Sequence, residues 1–470
     1  MKQINRRDFL NRSAAGLAAG AMLAGTNAFA ENEEKRKPNV LFIMTDQQHA
    51  RMMSCAGNEW LKTPALDAMA EDGIRFENAY SANPVCVPSR TSMATGVMSC
   101  RLGADGNQTG MSIKQLPSEV DENSMGKLMK QVGYDTFYGG KVHMCGPLAP
   151  QNAGYDEFCK DSRGELPDDC VEFIKKDRDK PFFAVASFIN PHDICFAHSA
   201  RIGKSSNVAD LYREAAAMPL DELPPLPDNY EIQENEPSAV QDKLSTTATT
   251  PTLTMRAEYA ERDWRINRWI YQRLTERVDG EIGRILDGLK EAGLEDDTLI
   301  IFTSDHGNMD ASHHLASKGL FYEESVGVPF LMKYKGVIPP GQADNEHFVS
   351  TGLDILPTIC DYAGIDIPEH LLGKSLRSTA EGEHVDDWRT YVASENTTTR
   401  MIRSRSYKYC SFSDPDSKEM LVDMEKDPGE MRNLVDDPVF REVLLDHRRL
   451  LAEWSELSDD KDASKYLRKG

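Results

Sequence analysis

Val40-Leu41-Phe42-Ile43-Met44 runs without a polar residue straight into Thr45-Asp46-Gln47. A short apolar run that stops abruptly at polar residues reads as a buried strand reaching the edge of its sheet. The pattern returns three times. Tyr134 to Tyr138 leads to Gly139-Gly140-Lys141-Val142-His143, Phe182 to Ile189 leads to Asn190-Pro191-His192, and Leu299-Ile300-Ile301-Phe302 leads to Ser304-Asp305-His306-Gly307. Helical patterns separate these runs, and that alternation specifies an α/β fold with a largely parallel sheet flanked by helices. In open α/β sheets ligands bind beyond the carboxyl ends of the strands. One Asp or His after an apolar run usually means only that the chain has reached solvent; four such cases together point to a site.

Outward from these strands, the longest helical signal spans about Tyr259 to Leu289, with Ile270, Leu274, Val278, Ile282, Ile285, Leu286 and Leu289 spaced by three and four. It reads as a helix packed on the sheet. Before it, residues 219–254 carry six prolines and Ser245-Thr246-Thr247, which predicts an irregular insertion, a surface loop suited to setting specificity. Asp354-Ile355-Leu356-Pro357 starts a helix that ends near Gly364, and the pattern then changes. Tyr391 to Ser394, Met401 to Ser404, Tyr407 to Phe412 and Met420 to Met424 predict a small antiparallel sheet, covered by a charged helix over roughly Pro438 to Leu457. A boundary near 375 divides a catalytic domain over 38–375 from a small C-terminal subdomain over 376–470. No internal repeat is visible.

Residues 1–30 read as a signal peptide of the twin-arginine (Tat) type. Arg6-Arg7-Asp8-Phe9-Leu10 precedes an Ala/Gly-rich run, and Ala28-Phe29-Ala30 has the form of a cleavage site. The run falls short of the roughly 20 strongly apolar residues a membrane span needs, and no later stretch is apolar enough to cross a bilayer. The expected location is therefore periplasmic or secreted, with the Tat export machinery as a partner and no stable membrane insertion.

At 470 residues and 40% apolar, the chain can bury a sizeable core in two or three domains, which excludes disorder, collagen and a small disulfide scaffold. A formal charge of −22 argues against nucleic acid as a partner, and any anion bound must meet a local cluster of cations. The nine cysteines are odd in number, so at least one stands outside any intrachain disulfide. A Tat substrate folds in the reducing cytoplasm, so few disulfides or none are expected. The absence of Cys-x-x-Cys removes zinc-ribbon and thioredoxin readings.

Cys86-Val87-Pro88-Ser89-Arg90-Thr91 places a proline two residues after a cysteine, ahead of a pattern able to form a helix. Cys86 is thereby expected at a helix N-terminus, where free N–H groups favour an anion. A buried structural cysteine, or a thiolate nucleophile activated by a histidine, are the other readings of the same residue.

The run Cys86-x-Pro88-Ser89-Arg90 with Thr95-Gly96 after it resembles the signature of the type I sulfatases of the alkaline phosphatase-like superfamily, in which a maturation enzyme oxidises that cysteine to formylglycine. Further segments resemble the family: Thr63-Pro64-Ala65-Leu66-Asp67, Gly73 to Tyr80, Gly140-Lys141-Val142-His143, Ser304-Asp305-His306-Gly307, His313 with Lys318 and Tyr322-Glu323, and Asp423 to Glu430. The resemblance implies a divalent metal, calcium by family habit with manganese or another ion as alternatives, held by Asp46, Gln47, Asp305, His306 and the modified Cys86. Gln47 stands where a second Asp is frequent, and His306 where Asn is frequent. The resemblance also implies that Arg90, Lys141 and Lys318 surround the sulfate. One hydroxyl of the hydrated aldehyde attacks sulfur, Asp305 helps take its proton, His192 with Lys318 protonates the leaving alcohol, and His143 triggers release of sulfate. The remaining histidines read as ordinary polar residues, His313 being borderline.

The resulting expectation is an exported hydrolase of sulfate esters, acting on a sulfated sugar or oligosaccharide and matured by a formylglycine-generating enzyme. Alternatives are a phosphonate monoester or phosphodiester hydrolase of the same superfamily, a non-catalytic glycan-binding relative and a cysteine-dependent hydrolase.

Overall fold

The run that begins at Val40 becomes the strand Asn39–Asp46, buried throughout its length and fourth in an eight-stranded sheet. The computed structural model describes residues 37–160, 163–204, 206–245 and 251–468; the signal-type segment over 1–30 lies outside them. Across the sheet the strands run in the order Glu157–Cys159, Asp135–Gly140, Phe182–Pro191, Asn39–Asp46, Thr298–Ser304, Phe330–Lys333, Ile74–Phe76 and Gln342–Asp344. Only Phe330–Lys333 is antiparallel to its neighbours. The four apolar runs read from the sequence occupy four adjacent central positions.

Alternation along Asn39–Asp46 feeds two cores. Val40, Phe42 and Met44 pack with Met93 of the helix Cys86–Thr95, Met125 and Met129 of Met125–Gln131, and Ile355 and Ile359 of Thr351–Ala363. Leu41 and Ile43 point the other way, onto Leu66 of Pro64–Glu71, Phe173 of Leu166–Ile174, and Val278, Ile282 and Ile285 of Glu261–Glu291. A strand buried on both faces needs no polar alternation, which is why the run is continuously apolar.

The insertion over 219–254 departs from the irregular segment predicted. Helices Ser238–Ser245 and Thr252–Glu258 lie in or begin within it. Pro237 and Pro251 stand immediately before the helices, where a missing N–H costs nothing, so these prolines punctuate structure and do not abolish it.

The C-terminal strands Tyr391–Glu395, Thr399–Ser404, Tyr407–Phe412 and Met420–Asp423 form an antiparallel sheet. One face packs under the helix Arg441–Leu457 through Leu444 and Leu451. The other contributes Val392, Met401, Cys410 and Val422 to a cluster with Tyr80, Leu320, Phe321 and Tyr322, just past Lys318 in the chain. No helix among the described residues is long and apolar enough to cross a membrane.

Candidate active site

Strand register brings residues from distant parts of the chain to one edge. Thr45 pairs with Ser304, so Asp46 and Asp305 leave the sheet side by side. Gly140 pairs with Ser187, and Asp46 with Pro191, which delivers Lys141 and His192 to the same edge. Gly140 adopts φ 97°, and a Cβ there would lie 1.9 Å from the Ser187 carbonyl oxygen. Only glycine fits the step into Lys141.

Cys86 is the first residue of the helix Cys86–Thr95, and Pro88 lies in its first turn. No side chain of the residue before it caps this helix; the Val87 N–H donates instead to Asn107 Oδ1 at 3.0 Å. Arg90 lies four residues beyond Cys86 and so shares its helical face.

Asp46, Cys86, Asp305 and His306 are buried, with donor atoms within 4.8 Å of one another. Cys86 Sγ lies 3.1 Å from His306 Nε2 and 3.8 Å from Asp46 Oδ1. His306 Nδ1 faces the Gly307 carbonyl at 2.9 Å. A carbonyl only accepts, so Nδ1 carries the hydrogen and Nε2 turns its lone pair to the cluster. Burial and Asp46 push Asp305 up to about 6, against the pull of Arg90. Burial raises Asp46 too, but Lys141, Arg90 and Lys318 bring it well below the usual carboxylate range. Two buried carboxylates and an imidazole lone pair aimed at one point fit a divalent cation.

Above this cluster stand the half-buried Lys141, His143, His192 and Lys318. Lys141 Nζ is 2.6 Å from Asp46 Oδ2. Burial and the charge of Lys318 press His192 down to about 3, so its ring is neutral. Burial opposes the charge of Lys318, but Cys86, Cys195 and Asp46 raise its pKa above the ordinary lysine range. His143 sits in left-handed backbone (φ 40°), and its buried Nδ1 has no hydrogen-bond partner among the described residues. Gln47 Oε1 accepts from Lys318 Nζ and from Cys195 Sγ at 3.3 Å, while its Nε2 donates to Asn308 Oδ1 at 3.0 Å.

Arg90 meets both carboxylates of this cluster. It is 1% exposed, and its donors are taken by Asp305 Oδ2 (2.7 Å), Asp46 Oδ2 (3.1 Å), Ser187 Oγ (2.7 Å) and the Lys141 carbonyl (2.8 Å). A guanidinium with five fixed donors on four acceptors braces the two carboxylates. His313 is buried and stacked on Tyr322 with ring centroids 4.1 Å apart.

Sequence reasoning missed Ser187, Asn107 and Asn308, which hold Arg90, the start of the Cys86 helix and the Gln47 side chain. Ser187 did leave a signal, since it interrupts the apolar run from Phe182 to Ile189. Cys55, Cys86, Cys100, Cys145, Cys195, Cys360 and Cys410 are free thiols.

Residues 38–365 match the sequence model of the sulfatase family. The chain belongs to that family. Residues 311–456 of this sulfatase also match the model for the C-terminal part of N-sulphoglucosamine sulphohydrolase. Among curated proteins it is 30% identical to a Δ4,5-hexuronate-2-O-sulfatase of Bacteroides thetaiotaomicron, over 94% of this chain and 92% of the relative. It is 27% identical to an N-acetylglucosamine-6-O-sulfatase of the same organism, over 96% and 92%. Among solved structures, a 2-O GAG sulfatase superposes with TM-score 0.79 at 28% identity, covering 93% of this chain and 95% of the other. A phosphonate monoester hydrolase of Agrobacterium radiobacter shares the fold, with TM-score 0.74 at 21% identity and coverage of 89% and 96%. This sulfatase is a sulfuric ester hydrolase with the mostly parallel α/β sheet and small antiparallel C-terminal sheet read from its sequence.

Proposed function

We propose that this sulfatase is exported and removes sulfate from carbohydrates, using formylglycine made from Cys86 beside one divalent cation. The observation that carries the reading is Cys86 at the first position of a buried helix, in contact with His306 and Asp46 below two lysines. The relatives that act on hexuronate and N-acetylglucosamine sulfates support a sugar substrate.

Asp46, Asp305 and His306 would hold the cation, with Gln47 and residue 86 completing the set; calcium is the ion the family resemblance favours. The bound cation would supply positive charge at the nucleophile and at the ester oxygens. Formylglycine, as its hydrate, would supply two hydroxyls where a cysteine has one thiol.

The chain's own residues do the rest. Lys141 and Lys318 meet the sulfate anion at the open face, where a protein of charge −22 needs local cations. Arg90 fixes Asp46 and Asp305 against each other. An anionic ester beside His192 offsets the charge of Lys318, so substrate binding raises the proton affinity of the ring and prepares it to donate to the leaving alcohol. His143, with Nδ1 enclosed, is placed to accept a proton when sulfate departs.

The test is inorganic sulfate released from a panel of sulfated mono- and disaccharides by enzyme matured in a competent host, beside phosphonate and phosphate diesters. Turnover of sugar sulfates supports the reading. Turnover of phosphonates in preference to every sugar sulfate would overturn the assigned substrate class.

A further inference from the structure

Lys318 belongs to no helix or strand. It lies between the short turn Ser312–His314 and the helix Glu323–Val326, so its placement depends on what grips its neighbours. The grip falls on the next residue. The Gly319 carbonyl accepts a hydrogen bond from Asn396 Nδ2 at 2.8 Å, and the Gly319 N–H donates to Ser325 Oγ at 3.2 Å.

Asn396 comes from the other sheet. It occupies the turn between Tyr391–Glu395 and Thr399–Ser404 and is 0% exposed. Its Oδ1 accepts from the N–H groups of Thr398 (2.9 Å) and Thr399 (3.0 Å), which locks the amide and aims Nδ2 at Gly319. The adjoining Thr397 hydroxyl donates to the Asp105 carbonyl at 3.1 Å, two residues before the Asn107 that caps the Cys86 helix. One turn of the C-terminal sheet therefore touches both the carbonyl of the residue after Lys318 and the segment that caps the start of the Cys86 helix.

We propose that Asn396 is a positioning residue for Lys318, acting through the Gly319 carbonyl to hold the ammonium over Gln47 and beside the leaving group. This rests on the proposed role of Lys318 in assisting His192. A buried amide locked by two backbone donors is costly to place, and its nitrogen donates to the residue that follows the cation in the chain. The C-terminal sheet is thereby part of the catalytic geometry.

The experiment compares kcat/KM for 4-nitrophenyl sulfate, whose phenolate leaves without a proton, with that for the sulfated sugar cleaved fastest in the panel. Asn396→Asp keeps the acceptor for Thr398 and Thr399 and loses the donor; Asn396→Ser keeps a short hydroxyl that cannot reach Gly319. Each is made alone and together with Lys318→Ala, in matured, metal-loaded enzyme whose folding is checked by circular dichroism and Tm. The proposal expects a loss of about tenfold or more on the sugar sulfate with a much smaller loss on the aryl sulfate, and little further loss in the Lys318→Ala background. Equal losses on both substrates in the folded variants, or losses that add to those of Lys318→Ala, would overturn it. Equal losses on both substrates from Lys318→Ala alone would overturn the role of Lys318, and the proposal with it.

Discussion

Arg90 Nε lies 2.7 Å from Asp305 Oδ2, with both side chains fully enclosed. The same guanidinium reaches Asp46 Oδ2 at 3.1 Å, so one cation spans two carboxylates from neighbouring strands. Arg90→Lys cannot serve both at once. Breaking such a buried pair typically costs about 3–5 kcal/mol, because a charge is left unmatched. We expect Arg90→Lys to lower Tm and to reduce sulfate release by about 100-fold or more. Thermal melts and kinetics of the purified variant check this, and wild-type values in both would show that Arg90 braces nothing.

Like charges held together in a buried site favour a bound cation. Chelation should therefore abolish turnover and also lower Tm, since an ion that binds only the folded state stabilises by mass action. Readdition of calcium or manganese should restore both, and the ion that does so at the lower concentration is the better fit to the oxygen and imidazole donors. Asp305→Asn should bind the ion more weakly. A chelated wild type with unchanged Tm and turnover would remove the cation from the account.

His192 has a folded-state pKa pressed down to about 3 by burial and Lys318, against 6.5 for a free histidine. The neutral ring is thus preferred in the fold, and its contribution to stability is present above pH 6.5 and lost as pH falls toward 3. His192→Gln should flatten the acid side of the Tm-against-pH curve. Free sulfate, which favours the charged ring, should protect the wild type more strongly as pH falls through this range. Identical curves for the two proteins would show that His192 is not held neutral.

Gly140 is the last residue of its strand and hands the chain to Lys141. Alanine there would combine an unfavourable φ of 97° with a Cβ 1.9 Å from the Ser187 oxygen. Gly140→Ala should cost more than the roughly 1 kcal/mol of an ordinary glycine replacement and should displace Lys141. Urea unfolding and the KM for the sugar sulfate report the two effects separately.

The central strands were legible because burial on both faces leaves an unbroken apolar run, and the Cys86 helix because Pro88 marks its first turn. The residues at the strand ends came with them, since pairing within the sheet fixes where each strand delivers its last side chains. The helices within 219–254 were hidden by prolines that mark helix starts. The partners of Arg90 were hidden as well, because a motif names the arginine and only packing shows which acceptors it meets. Asn396 carried no signal at all: it lies 77 residues past Gly319, and the contact is made by a fold that joins two sheets.

The central claim is that residue 86 acts as formylglycine. Peptide mass spectrometry of the active, matured enzyme, read beside sulfate release, tests it most directly. The account predicts an aldehyde at position 86, activity that resists thiol alkylation, and no sulfate release from Cys86→Ala. A fully active enzyme whose residue 86 is an unmodified thiol, and which alkylation inactivates, would contradict it.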